Sequence, residues 1–157
     1  MPHTPISVQS DIATHLSRKQ CSTQWLGFFQ ALGAEFASAL APQDLSALMS
    51  RVGIRFAAEH PLPPCATLDD MERSMTAVWQ GMDWGWVQLT QGPSQLDIRH
   101  SLSPLSAAFG AEHAIWSGGF LEGVYQGWFQ QAGAGHLKVV QSEPADRWGC
   151  VHLQLAR

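Results

Sequence analysis

The N-terminal half of the chain carries apolar side chains spaced three and four positions apart, and this spacing predicts three successive α-helices. The first is expected over residues 23–40, with Thr23 as its N-cap. The second is expected over residues 42–59, where the leading proline suits the first turn of a helix. Prolines in residues 61–64 predict an extended connection, and Thr67 is the expected N-cap of the third helix.

Alternation of apolar and polar side chains predicts two β-hairpins. The first hairpin joins a tryptophan-rich strand at residues 84–90 to a strand at residues 95–99, through the Gly-Pro-Ser turn at 92–94. The second hairpin joins residues 137–141 to residues 150–155. Residues 101–112, which follow the first hairpin, are predicted to be a loop.

A fourth helix is predicted over residues 113–131, and it is apolar nearly all round, which is typical of a buried helix. Gly119, Gly123 and Gly127 are spaced by four and leave one helical face without side chains, so that another backbone can approach closely. Two contacts fit this spacing: one with another copy of the chain, and one between helix and sheet within a single chain.

These elements predict an α+β fold in the order helix-helix-helix-hairpin-helix-hairpin, with helices packed on a four-stranded antiparallel sheet. The length of 157 residues suits one domain, which is expected over residues 23–157. Residues 1–22 are polar and are expected to form a flexible N-terminal arm.

The charge content of the chain is low for a protein of this class. Charged residues make up 14% of the sequence, against about 25% in typical soluble domains, and seven tryptophans accompany them. Few charges leave little to keep a surface wet, so we expect a homo-oligomer or a partner-bound chain; a monomer coated in Gln, Ser and Thr is the alternative. A net charge of −4 argues against nucleic acid as a partner.

The compartment is predicted from three features. The first 20 residues lack an apolar segment of signal-peptide length, and no stretch is long and apolar enough to span a membrane. The three cysteines, Cys21, Cys65 and Cys150, are odd in number and widely spaced, which is typical of a reducing compartment. These features predict a cytoplasmic protein.

Motifs that carry chemistry are sparse. The sequence has no nucleophile elbow, phosphate-binding loop or dinucleotide fingerprint, and its histidines do not fall at metal-ligand spacings. We therefore expect no catalysis, no cofactor and no metal. Glu122 is the one carboxylate of the long apolar helix. It could serve a small glycosidase that has a second carboxylate about 5–10 Å away, or it could form a buried hydrogen bond to a backbone group or an arginine.

Several of these features occur together in an order that resembles a known family. The segments are Arg-Val-Gly-Ile-Arg at 51–55, Pro-Pro-Cys at 63–65, Thr-Leu-Asp at 67–69, Trp-Gly-Trp-Val-Gln-Leu at 84–89, Trp116, Leu-Glu-Gly-Val-Tyr at 121–125, Trp128 and Gln-Ala-Gly at 131–133. In this order they are similar to the D component of bacterial cellulose synthase complexes. The resemblance covers residues 26–155.

The resemblance implies a non-catalytic accessory protein. Members of this family form a ring-like octamer with internal passages and are associated with ordering synthase complexes or glucan chains into crystalline cellulose, in some bacteria together with a proline-rich partner. Direct contact with nascent β-1,4-glucan is the alternative mode of action. The family implies either a cytoplasmic or a periplasmic location.

Closed symmetric packing suits a chain with few charges and a glycine-lined helix. The predicted interface set combines that helix with the tryptophan strand: Trp84, Trp86, Trp116, Gly119, Glu122, Gly123, Tyr125, Gly127 and Trp128. The partners expected for this surface are further copies of the chain, from dimer to octamer.

Overall fold

The computed structural model describes Ile12, His15, Leu16 and residues 19–157. Most of the predicted arm, residues 1–22, lies outside the described residues. The helices are α1 (Thr23–Ala39), α2 (Pro42–Glu59), α3 (Leu68–Gly81), α4 (Leu105–Phe109), α5 (Ala114–Ser117) and α6 (Gly119–Gln131), with a 3₁₀ turn at Ala111–His113 before α5. The strands are β1 (Trp86–Gln91), β2 (Leu96–Ser101), β3 (Lys138–Glu143) and β4 (Val151–Ala156).

The four strands form one sheet in the order β1-β2-β4-β3, and every neighbouring pair is antiparallel. Two hairpins account for the outer pairs, β1 with β2 and β3 with β4. The central pair, β2 with β4, joins residues that are far apart in sequence. The α+β class and the four-stranded antiparallel sheet are confirmed.

The ends of the helices follow local capping chemistry. Ser22, rather than the predicted Thr23, is the N-cap of α1, because its hydroxyl accepts the backbone N–H of Gln24. Thr67 caps α3 as predicted, and Asp70 returns a hydrogen bond to the Thr67 backbone N–H, which completes a capping box. The proline that opens α2 occupies the predicted first turn.

Two predictions between the first hairpin and the long helix are wrong. Residues 101–112 are not a plain loop, because they contain α4 and begin a 3₁₀ turn. The helix predicted over residues 113–131 is interrupted at Gly118, which separates α5 from α6. A Cβ at Gly118 would collide with the Gln141 side chain, so the interruption lies where β3 comes closest. A pattern of apolar spacing does not contain this information, since it comes from a distant strand.

The core lies between one face of the sheet and the helices. Val87, Ile98, Leu153 and Val139 are buried and come from all four strands, in keeping with the period of two in a strand. The α6 helix contacts α2 on one side and β3 on the other. The opposite face of the sheet carries no helix among the described residues, and Trp86 lies on it.

Candidate interaction surface

The α6 helix is buried on nearly all sides, as its pattern predicts. Nine of its 13 residues are buried, including Phe120, Leu121, Tyr125 and Trp128. The helix needs no polar face because α2 covers one side and the sheet covers the other.

The glycines of α6 bring its backbone against α2 of the same chain. A Cβ at Gly119 would lie 2.6 Å from the Ser46 carbonyl oxygen, and one at Gly127 would lie 2.6 Å from the Ala57 Cβ. A Cβ at Gly123 would overlap the Ser50 carbonyl. The predicted close approach of a backbone is therefore present, but it is helix on helix and not helix on sheet. A role of these glycines in contacts between copies stays a prediction.

The other members of the predicted interface set fall into two groups. Trp116, Tyr125 and Trp128 are buried in the single chain, and the Trp128 indole N–H donates to the His60 carbonyl oxygen at 2.8 Å. Trp84 is half-buried, whereas Trp86 is 40% exposed. The structure therefore gathers most of this set into the interior and leaves only Trp86 with much surface to offer.

A buried polar chain links Tyr125 of α6 to the sheet. The Tyr125 hydroxyl lies 2.6 Å from His100 Nδ1, and His100 Nε2 lies 2.8 Å from the Trp84 carbonyl oxygen. A carbonyl oxygen only accepts, so Nε2 carries the proton and Nδ1 accepts from Tyr125. Burial lowers the pKa of His100 to about 4, while the bond to the Trp84 carbonyl acts in the opposite direction. The pair is a neutral structural link between helix and sheet.

Glu122 has a structural partner on the sheet. Its Oε1 accepts the backbone N–H of Gln141 on β3 at 2.7 Å, and one turn later Gln126 Oε1 accepts the N–H of Val139 at 2.8 Å. Burial raises the pKa of Glu122, while the Gln141 N–H acts in the opposite direction. This is the backbone hydrogen bond that the sequence offered as the alternative to catalysis.

The opposite edge of the sheet has the same arrangement. On β1, the backbone N–H of Leu89 donates to Glu72 Oε2 at 2.7 Å, and that of Val87 donates to the Thr76 hydroxyl at 3.3 Å. Glu72 and Thr76 lie one turn apart on α3, as Glu122 and Gln126 do on α6. Both edge strands thus have outward-facing N–H groups satisfied by helix side chains, which blocks the addition of a further strand.

The surface that the predicted interface set missed is on α1. Gly33 is the one buried residue of this 17-residue helix. Trp25 is 52% exposed and Phe28 is 57% exposed, and their rings meet edge to face with centroids 6.1 Å apart. We call this pair the α1 face. Its signal in the sequence is a helix whose single charge is Glu35.

Within the part of the chain that the structure describes, no group of His, Cys, Asp and Glu side chains could hold a metal ion. In the same part, no helix combines the length and the apolar character that crossing a bilayer requires. Among the described residues, the α1 face and Trp86 are therefore the features that most resemble a site of interaction.

Comparison with known proteins gives the class of protein to which this fold belongs. Residues 11–155 match the model of the cellulose synthase D-component family, so the chain is a member of that family. A relative from Komagataeibacter xylinus, "Cellulose synthase operon protein D", is 29% identical over 110 residues, which cover 68% of this chain and 70% of the relative. The resemblance found in the sequence is confirmed.

Proposed function

We propose that this chain is a non-catalytic accessory protein that assembles with copies of itself, up to an octamer, into a cytoplasmic scaffold for cellulose synthase complexes or their glucan chains. Membership of the cellulose synthase D-component family supports the link to cellulose synthesis. The partners of the scaffold are the synthase complex and a proline-rich protein.

The observation that carries the proposal is the α1 face. An apolar helix in a soluble protein is normally buried, yet α1 keeps only Gly33 from water within one chain. Exposed apolar area with almost no charge beside it is the signature of an interface between protein chains. A second copy of the chain would cover Trp25 and Phe28 and remove them from water.

The test is a double change on the α1 face, Trp25→Ser with Phe28→Ser, followed by light scattering coupled to gel filtration. Wild-type protein should give a multiple of the 17.2 kDa chain mass. The double variant should fall to a smaller multiple or to the single chain, because burial of the two rings no longer drives association. Its circular dichroism should be unchanged, since both side chains are exposed.

Val140→Ser is the matched control, since Val140 is 56% exposed and lies on a strand away from α1. It should leave the mass as it is. Wild-type protein that stays at 17.2 kDa over a wide range of concentrations would refute the assembly. A deletion strain supplies the cellular test: wild-type protein should restore ordered cellulose, and the double variant should not.

Direct binding of glucan is a second candidate function, and Trp86 is the observation that favours it. Its ring is 40% exposed on the helix-free sheet face, where a sugar ring could stack. Calorimetry with a cello-oligosaccharide should then show heat that Trp86→Ala abolishes and Val140→Ser keeps. Absence of heat with the wild-type assembly would exclude this function.

The glycosidase alternative depends on Glu122, whose carboxylate accepts the Gln141 N–H. A glutamine keeps an acceptor oxygen at that point, so Glu122→Gln should preserve the fold. The non-catalytic proposal expects no release of reducing sugar from cello-oligosaccharides by either protein. Turnover by the wild-type chain that Glu122→Gln removes would establish an enzyme instead.

The cytoplasmic location is supported by the cysteines. Cys21, Cys65 and Cys150 are all free thiols, and Cys21 and Cys150 are buried. Fractionation of cells that express the tagged full-length chain should place it with cytoplasmic markers. Recovery in the periplasmic fraction would overturn this part of the proposal.

A further inference from the structure

A cavity of about 410 Å³ lies beneath α1, between this helix and the body of the domain. Its walls come from α1, α2, α4, α6 and the segment that leads into β1. Six aromatic rings line it: Trp25, Phe29, Phe56, Trp84, Phe109 and Phe120. The α1 helix makes most of its contacts with α4, so the space between α1 and α2 is left open.

The rings form two facing walls. On the α1 side, Phe29 stands between Trp25 and Phe109, with ring centroids 6.2 Å and 5.6 Å away. On the other side, Phe120 lies 5.6 Å from Phe56 and 5.3 Å from Trp84. These separations are those of ring pairs in contact, so each wall is already packed, and the space between the walls could take a further apolar group.

The polar groups of the cavity are few and partly engaged. No charged side chain and no histidine lines it; Gln20, Cys21 and Ser22 supply its polar side chains. The Gln20 amide donates to the Leu102 carbonyl oxygen at 3.5 Å, and the Ser22 hydroxyl accepts the Gln24 N–H at 3.3 Å. A sugar brings many hydroxyls and an anion brings a charge, and neither would find enough partners here.

We propose that this cavity is a binding site for a small, uncharged, ring-containing apolar molecule. The volume falls within the range of about 300–1,000 Å³ that small-molecule sites occupy. Apolar cavities stay dry and take up apolar molecules readily, because water gains no hydrogen bonds inside them. The site is independent of the proposed scaffold, since most of its wall belongs to the interior of one chain.

The test compares two dyes that share one ring system: phenylnaphthylamine, which is uncharged, and its sulfonated analogue, anilinonaphthalene sulfonate. Energy transfer from Trp25 and Trp84 to the dye reports binding to the full-length protein. Wild-type protein should bind the uncharged dye in preference to the sulfonate. Ala108→Phe, which places a ring in the cavity, should weaken binding of the uncharged dye by at least about tenfold.

Ala107→Phe is the matched control, because Ala107 is the neighbouring residue on α4 and lines a different cavity. It should bind the uncharged dye as the wild type does. Ala108→Leu fills less of the space and should give an intermediate loss, which keeps the test valid if the phenylalanine disturbs folding. Light scattering on each variant shows whether the assembly is unchanged.

Three results would overturn the proposal. The first is a wild-type protein that does not bind the uncharged dye, and the second is equal binding by Ala108→Phe and the wild type. The third is binding that appears only when dilution lowers the mass of the assembly, since a second copy would then fill the cavity. None of these results bears on whether the chain assembles.

Discussion

His100 shows at the scale of one residue how the interior of this protein treats a titratable group. It is fully buried, its ring nitrogens are taken by the Tyr125 hydroxyl and the Trp84 carbonyl oxygen, and its pKa is lowered to about 4. A protonated ring would have to break the bond from Tyr125, because Nδ1 could then only donate. The neutral form is therefore the one that fits.

Acid should unfold the protein partly through this residue. The pKa of His100 is lower in the folded state than the ordinary 6.5, so its contribution to stability is complete above pH 6.5 and is lost as the pH falls towards 4. The full loss is about 3 kcal/mol at 1.36 kcal/mol for each pH unit of difference. Urea unfolding of the wild type across this range should show the loss.

His100→Asn provides the comparison, since it removes the titrating ring and keeps a polar side chain. The variant should be less stable at neutral pH, but its free energy of unfolding should depend less on pH by the same amount. Parallel pH profiles for the two proteins would contradict this role of His100.

The sequence contained part of this information. Alternation along residues 96–100 places His100 on the same face of the strand as Leu96 and Ile98, which is the buried face. It did not contain the partners, because Tyr125 and Trp84 lie 25 and 16 residues away along the chain.

At the scale of elements, the pairing of α6 with α2 depends on glycine. Gly123→Ala should destabilise the fold by about 1–3 kcal/mol, because the added methyl overlaps the Ser50 carbonyl and the two helices must move apart. Chemical denaturation measures the change. Alanine is otherwise the better helix former by about 1 kcal/mol, so a loss of stability would report the close contact alone.

The control is Gly81→Ala at the end of α3, where an added Cβ meets no atom within 4 Å. This variant should be neutral or slightly more stable than the wild type. Equal effects of the two substitutions would contradict close packing between α2 and α6.

The covered edges of the sheet allow a second prediction at this scale. Glu72→Ala should leave the Leu89 N–H without its acceptor, and its amide hydrogen exchange should accelerate while stability falls by about 1–2 kcal/mol. Glu72→Gln keeps an acceptor oxygen and should exchange nearly as slowly as the wild type. If neither variant alters exchange at Leu89, the helix side chain does not protect this edge.

The hairpins, the cap at Thr67 and the apolar character of α6 were all predictable because each depends on neighbours within a few positions. The interruption at Gly118 and the short helix α4 were not. The first depends on Gln141 of β3, and the second begins just after Leu102, a residue with a φ of 62° that no apolar pattern indicates.

At the scale of the whole molecule, the proposed assembly should be held by apolar contact rather than by ion pairs. The α1 face carries no charge, and Glu35 is the single charge of the helix. Raising the salt concentration from about 0.1 M to about 1 M should therefore leave the native mass unchanged, because screening weakens only ionic contacts. Analytical ultracentrifugation at both salt concentrations measures this.

The double change of Trp25 and Phe28 is the companion experiment, and it should lower the mass at either salt concentration. Dissociation of the wild-type assembly at high salt would instead point to charged contacts elsewhere on the surface. The search for the interface would then move away from α1.

By itself, the sequence determined the class of fold, the positions of most elements, the need for a buried fourth helix and the relation to the D component of cellulose synthase. Periodicity, capping and motif order carry these features, and all of them act over short stretches of chain. Only the tertiary structure decided that the α6 glycines face α2, that Glu122 completes a sheet edge and that Trp25 and Phe28 stay uncovered. These outcomes depend on which distant segments meet, and burial is a property of the whole packed chain.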